Sequence, residues 1–425
     1  MLLTKVEIKN LKSLNHFVWE LTENDSLTGW HVLLGDNGSG KSTFLRACAL
    51  AIMGPQQAMG LRLYWKQWVR QGSNEAKISI NFTQSEIDQW SGKGKTTSDK
   101  LRATVKISED GITSTEITPS PNRHIWGGGS GWCAFSFGPY RRFTGGNQVH
   151  EKTFYQMPRL ASHLSLFGED VALTEIISWL IYLDHNKLND QRKGKKSLSG
   201  DLLSKIKEFV NQEGFLPNGE TLQEVTPEGV IFRDINGALV DINNLSDGFR
   251  SVLSMTLELI RQLCQKSGTD KIFSDKNKKI VVPGVVIIDE IDVQLHPRWQ
   301  RLIGPWLTEH FPNIQFIVTT HSPLVCQGAI TGSITRLSLP GTNGIAERIT
   351  GVALDRLLYD DIVEAISSGA FGVGIERSEK AQEMFYELAY LNVRSRSGEL
   401  NNSERDKRSK LQAIFGSMIE TLDTK

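Results

Sequence analysis

The chain has 425 residues, room for two or three domains and a full-sized core. Its 48 Lys and Arg balance 48 Asp and Glu, and 39% hydrophobic with 23% charged residues is an ordinary globular composition. Wholesale disorder and a general nucleic-acid coating role are thereby excluded, although a local basic patch is not.

Cys48, Cys133, Cys264 and Cys326 form no CxxC pair, so neither a zinc ribbon nor a dithiol redox motif is expected. The opening MLLTKVEIKNLKSL alternates apolar and charged residues instead of presenting an apolar signal core. No segment approaches the roughly 18 uninterrupted apolar residues of a membrane span, so a cytoplasmic protein without membrane contact is expected.

In chain order, Val6 and Ile8 alternate with Lys5 and Lys9 as an opening strand, and Trp30 to Leu34 is a second apolar run. That run stops at GDNGSGKS, residues 35–42, and TFLRACALAIMG follows with helical spacing through Phe44, Leu45, Cys48 and Ile52, closed by Gly54. Gly35, Gly40, Lys41 and Ser42 satisfy GxxxxGK[ST]. In that pattern glycines let backbone N–H groups curl around phosphate, the lysine reaches the outer phosphates and the hydroxyl ligates Mg²⁺. With glycine near 7% of average usage, chance gives such a match in roughly one or two chains per hundred of this length.

Lys77 to Phe82, Leu101 to Ile107 and Ile112 to Ile117 alternate with period two, with Asp110-Gly111 as a turn, and predict an antiparallel platform. Cys133 to Phe137 is a further strand, and Phe154 to Val210 carries a helical pattern broken by the basic run NDQRKGKK. VIFRDINGALVDI reads as a hairpin around Asn236-Gly237. Next, LSDG precedes a helix from Phe249 to about Cys264, which makes Ser246 and its neighbours either an ordinary N-cap or an anion site. VVIIDE ends a buried strand with Asp289 and Glu290, at the carboxyl edge where open α/β sheets bind ligands. NIQFIVTTHSP is a second such strand and delivers His321. Two amphipathic helices close the chain, one through Ala381, Met384, Phe385 and Leu388, the other through Leu411, Ile414, Phe415, Met418 and Leu422. Their apolar faces either pack on the chain's own head or dock a partner. Asp360-Asp361 reads as a helix N-terminal signal.

Taken in order, GDNGSGKST, LSDGFRS, VVIIDE and TTHSP resemble the ABC-type ATPase heads of the RecF, SMC and OLD-nuclease superfamily, over about Leu3 to Pro323. The fold class this implies is α/β: a P-loop head with a mixed central sheet, an antiparallel β platform, a helical insertion and C-terminal helices. The implied organisation is an N-terminal lobe at 1–150, a helical insertion at 151–225, a C-terminal lobe at 226–345 and a helical region at 346–425.

By the same resemblance, Asn37, Gly38, Ser39, Gly40, Lys41, Ser42 and Thr43 bind ATP, with Ser42 and Asp289 holding Mg²⁺. Ser246 and Gly248 contact the nucleotide of a second subunit, Glu290 is the general base, and His321 senses the γ-phosphate. A homodimer with sandwiched nucleotides follows, as the base of any larger oligomer. The sequence departs from the superfamily pattern after Cys133 to Phe137, where GPYRR offers Arg141 and Arg142 but no Q-loop glutamine.

DEIDVQLHPRWQ and SFGPYRR narrow the likeness to compact bacterial ATPases of Septu-type and retron-associated anti-phage systems. That resemblance implies nucleotide-gated control of a separate nuclease acting on nucleic acid; a RecF-like DNA-repair clamp is the alternative. The chain itself offers no HNH constellation, since no histidine follows His185 until His296, and no glutamate with a DxD pair for a TOPRIM domain.

Overall fold

In the computed structural model the described residues are 1–84, 88, 100–115, 120–127, 132–140, 157–168, 175–216, 219–268, 272–274, 279–338, 346–360, 379–398 and 400–415. The opening alternation becomes β1 (Leu2–Leu11), with Val6 and Ile8 buried and Lys9 exposed. It pairs antiparallel with β2 (Leu14–Glu20), while β3 (Gly29–Leu34) leaves for another sheet. β4 (Ala76–Thr83), β5 (Lys100–Ser108) and β6 (Gly111–Ser114) complete the expected antiparallel platform, in the order β2-β1-β4-β5-β6.

The second sheet draws strands from across the chain: β7 (Cys133–Phe137), β11 (Gly284–Ile288), β12 (Ile314–Thr319), β13 (Gly332–Arg336) and β14 (Glu347–Ile349). Its order is β14-β13-β3-β12-β11-β7, with every neighbouring pair parallel except β13 and β14. β3, β11 and β12 are buried along their whole length, which is why their sequences read as continuous apolar runs without alternation. β8 (Thr221–Thr226), β9 (Gly229–Arg233) and β10 (Leu239–Asp241) make a small third sheet. The β9–β10 hairpin turns at Asn236-Gly237, as the sequence predicts, with the Asp234 side chain accepting from the N–H groups of Asn236 and Ala238.

Helix α1 (Lys41–Met53) is buried nearly all round because it contributes to one core with the platform and the parallel sheet. Gln315 ties the same layers together: fully buried on β12, it accepts from Leu3 N–H and donates to Leu3 O, both at 2.8 Å. These bonds fall where the pairing of β1 with β4 shifts register between Leu3 and Lys5.

The predicted helical segment contains α2 (Glu175–Arg192) and α3 (Leu198–Val210), and α4 (Asp247–Ser267) and α5 (Pro297–His310) follow. Asp360 closes helix α6 (Gly351–Tyr359); Asp361 and the stretch in which the expected helix would follow lie outside the described residues.

Met1–Asp360 forms one compact unit and Asp361–Lys425 another. In the second, α7 (Glu379–Arg396) and α8 (Asn402–Phe415) bury Leu388, Leu391, Leu400 and Leu411 against each other. Phe385 and Phe415 meet edge to face at 5.7 Å. Part of the apolar surface weighed for a partner is thus used within the helix pair; Met418 and Leu422 lie outside the described residues.

Candidate functional site

Parallel pairing decides where the chemistry sits. Leu33 of β3 stands opposite Thr319 of β12, and Ile288 of β11 stands opposite Val318. The strands therefore end together, and the segments after them, Gly35–Gly40, Asp289–Glu290 and Thr320–Ser322, share one sheet edge.

At the first segment the chain turns sharply into α1. Gly40 sits at the helix N-cap with φ 101°, a conformation costly for any residue with a Cβ, and a Cβ there would meet Leu14 Cδ2 at 2.6 Å. Lys41 is buried, and its ammonium donates to the carbonyls of Gly35 (2.6 Å) and Asp36 (3.0 Å). Burial lowers its pKa, while the nearby Asp289, Glu290, Asp36 and Asp292 charges hold it up. The Ser39 hydroxyl is buried without a hydrogen-bond partner. A buried ammonium satisfied only by loop carbonyls, an orphaned hydroxyl and a glycine-turned helix start fit a phosphate group well. Ser42 and Thr43 open the helix half-buried, and Asn37 and Gly38 are exposed.

At the second segment, Asp289 is buried and Glu290 half-buried. Glu290 adopts φ 46°, which is sparsely populated by residues other than glycine. Thr319 Oγ1 donates to Asp289 Oδ1 at 2.6 Å and accepts the Glu290 N–H at 2.8 Å. Thr320 repeats the pattern, donating to Asp292 Oδ1 at 2.5 Å and accepting the Ser322 N–H at 2.9 Å. Ser322 Oγ then donates to Gln300 Oε1 at 2.7 Å, and the Gln300 amide donates to Leu295 O at 2.9 Å. His321 projects exposed between these anchored neighbours. Sequence reasoning missed Thr319, Thr320, Asp292 and Gln300; two consecutive hydroxyls ending a buried apolar strand were the available signal.

Ser246 occupies the N-cap position of α4 but makes no side-chain capping bond and is exposed, so it is not an ordinary cap. Asp247 is engaged by Arg250, whose guanidinium also donates to Asn243 O at 3.0 Å. Gly248 lies against the turn that follows Glu290, where a Cβ would meet Gln294 O at 2.6 Å. Within one chain, then, Gly248 has a packing role beside the acidic segment. His296 caps α5 by accepting from Arg298 N–H at 3.3 Å.

Past β7, Gly138 to Tyr140 are described, and Arg141 and Arg142 lie outside the described residues. The basic run Gln191–Lys196 ends α2 and turns toward α3; Lys196 is matched there by Asp201 at 3.4 Å. A cleft of about 770 Å³ between α2, α3 and β8 holds equal numbers of lysines and acids and none of the phosphate-loop or acidic-strand residues. All four cysteines are free and buried, with burial pushing the Cys133 and Cys264 thiols up to about 12. Among the described residues no cluster of three or more His, Cys, Asp or Glu suits a metal ion, and no helix is long and apolar enough to cross a membrane.

The structure is thus a mixed α/β fold in which a GxxxxGK[ST] loop and an acidic strand end share one sheet edge. Residues 175–327 match the family model described as "AAA domain, putative AbiEii toxin, Type IV TA system". The chain is similar to the "Septu protein PtuA" of Bacillus mycoides (strain KBAB4), 25% identical over 340 residues that cover 78% of this chain and 40% of that one. It is also similar to the "Retron Ec83 probable ATPase" of Escherichia coli, 38% identical over 112 residues, 26% of this chain and 20% of that one. The chain thus spans less than half the length of these curated relatives. Among solved structures, an SMC head bound to the C-winged helix domain of ScpA aligns with TM-score 0.49 and 15% identity, covering 82% of this chain and 97% of that one. The resemblance expected from the motifs, to Septu-type and retron-associated proteins, is therefore present.

Proposed function

We propose that the chain is an ATP-hydrolysing subunit that gates or scaffolds a separate nuclease effector in bacterial anti-phage defence. The observation carrying this reading is the convergence of the buried Lys41 with Asp289 and Glu290 at one sheet edge. In it, backbone N–H groups of residues 37–43 and the Lys41 ammonium bind the nucleotide phosphates. Ser42 and Asp289 hold Mg²⁺, which supplies charge neutralisation on the phosphates when bound. Glu290 orients and deprotonates the attacking water, and His321 contacts the γ-phosphate. Ser246 and its uncapped helix start face the nucleotide of a second copy, which makes the active unit a head-to-tail homodimer and the base of any larger oligomer. The likeness to Septu and retron ATPases supports the defence setting.

The test is an affinity pull-down of the tagged chain, expressed with its native flanking genes, with and without ATP and with Glu290→Gln. A stoichiometric nuclease in the eluate supports the gated-effector reading. Recovery of the chain alone, dimeric with ATP and retaining DNA, refutes it in favour of a repair-type clamp.

A further inference from the structure

We propose that Thr319 is a positioning residue for ATP hydrolysis, its hydroxyl holding the Asp289 carboxylate and the Glu290 backbone in a fixed mutual arrangement. The inference rests on the ATPase reading above and deepens it. Thr319 is fully buried at the end of β12, one strand over from the acidic pair. A hydroxyl carries one proton, and a backbone N–H can only donate. Thr319 Oγ1 therefore accepts from Glu290 N–H at 2.8 Å, and its own proton is directed to Asp289 Oδ1 at 2.6 Å.

The same residue also accepts the Ile291 N–H through its carbonyl, at 3.1 Å. Both bonds flank Glu290, which sits at φ 46°, a conformation that persists only where its surroundings impose it. Thr319 thus fixes the direction in which the Glu290 side chain leaves the strand, and links it to the residue assigned to the metal. Such outer hydrogen-bond partners typically control activity about 10- to 100-fold without touching the substrate. Threonine suits the position because a β-branched side chain fits the strand while its hydroxyl serves the loop.

The experiment uses the full chain. Hydrolysis of ATP by the wild type, lost in Lys41→Ala, checks the underlying reading; no hydrolysis by the wild type overturns that reading and the proposal with it. Given turnover, Thr319→Val is expected to lower kcat about 10- to 100-fold. KM and the Kd for a fluorescent ATP analogue should stay within about two-fold, because the phosphate loop is untouched. Thr319→Ser should restore most of kcat. Hydrogen exchange at the Glu290 amide should rise in the valine variant and not in the serine one. Thr319→Ala, which adds no bulk, replaces the valine variant if that chain fails to fold. A wild-type kcat in Thr319→Val or Thr319→Ala overturns the proposal and leaves the ATPase reading standing, as does an equal loss in Thr319→Ser.

Discussion

Lowering the pH from 8 to 5 should destabilise the first unit by about 4 kcal/mol, through two buried histidines. His31 lies between layers with Nε2 against Leu27 O at 3.3 Å and Nδ1 against Ser333 Oγ at 2.9 Å. A carbonyl can only accept, so the ring proton sits on Nε2 and Nδ1 accepts from the serine. Burial depresses the His31 pKa to about 4, with Leu27 O and Asp25 opposing and Arg348 assisting. His163, hydrogen-bonded to Ser136 Oγ at 2.6 Å, is pushed to about 3 by burial and by the Lys266 and Arg159 charges. Each group binds a proton in the unfolded chain near pH 6.5 and in the folded chain only well below pH 5. Stability is therefore fully present above the unfolded pKa and falls as pH drops through it. At pH 5 each histidine costs roughly 2 kcal/mol relative to pH 8, at about 1.4 kcal/mol per pKa unit. All ten tryptophans lie before residue 360, so urea unfolding followed by tryptophan fluorescence reports on this unit. His31→Gln and His163→Gln should each flatten the pH dependence by about half. A wild-type loss below about 1 kcal/mol, or an unchanged slope in both variants, would refute the account.

Lys41→Ala should abolish binding of a fluorescent ATP analogue, whereas Glu290→Gln should bind ATP, lose turnover and accumulate as a dimer by light scattering; wild-type hydrolysis in Glu290→Gln would remove it as the base. Gly248→Ala should cost about 1–3 kcal/mol in urea unfolding, because its Cβ would stand 2.6 Å from Gln294 O where ordinary contact begins at 3.4 Å. Glu258→Ala should cost about 3–5 kcal/mol by the same assay. Glu258 sits buried in α4, accepting two bonds from Arg261 at 2.6 and 2.7 Å and one from Gln262 at 2.6 Å.

Much of this arrangement was legible because local chemistry and long-range pairing agree. Apolar runs at Val285 to Ile288 and Ile314 to Val318 announced buried parallel strands, the run Trp30 to Leu34 announced the strand before the loop, and glycines there announced its turn. The platform's alternation and the Asn236-Gly237 hairpin were equally direct. What escaped were contacts whose partners are far apart in sequence. Gln315 reads as a polar interruption of a strand until Leu3, 312 residues away, is seen to use both ends of its amide. Asp360 also ends α6, its backbone N–H bonding Arg356 O, a role that the carboxylate pair Asp360-Asp361 does not announce by its composition.

The same distance effect explains why the acidic pair was found and its support was not. Asp289 and Glu290 carry a recognisable composition at a strand end, whereas Thr319 acquires its role only through strand order. β12 lies between β3 and β11, so its terminal hydroxyls face the acidic segment on one side while Thr320 N–H reaches Leu33 O on the other, at 3.4 Å. Gly248 then brings the start of α4 against Gln294, in the turn that Asp292 and Thr320 hold from the opposite end. A displacement of the α4 N-terminus must therefore move, or be resisted by, a turn whose other end fixes Glu290. In the head-to-tail dimer proposed above, that short path would let occupancy at one face bias the geometry of Glu290, the proposed base, at the other, without any long-range rearrangement of the sheet.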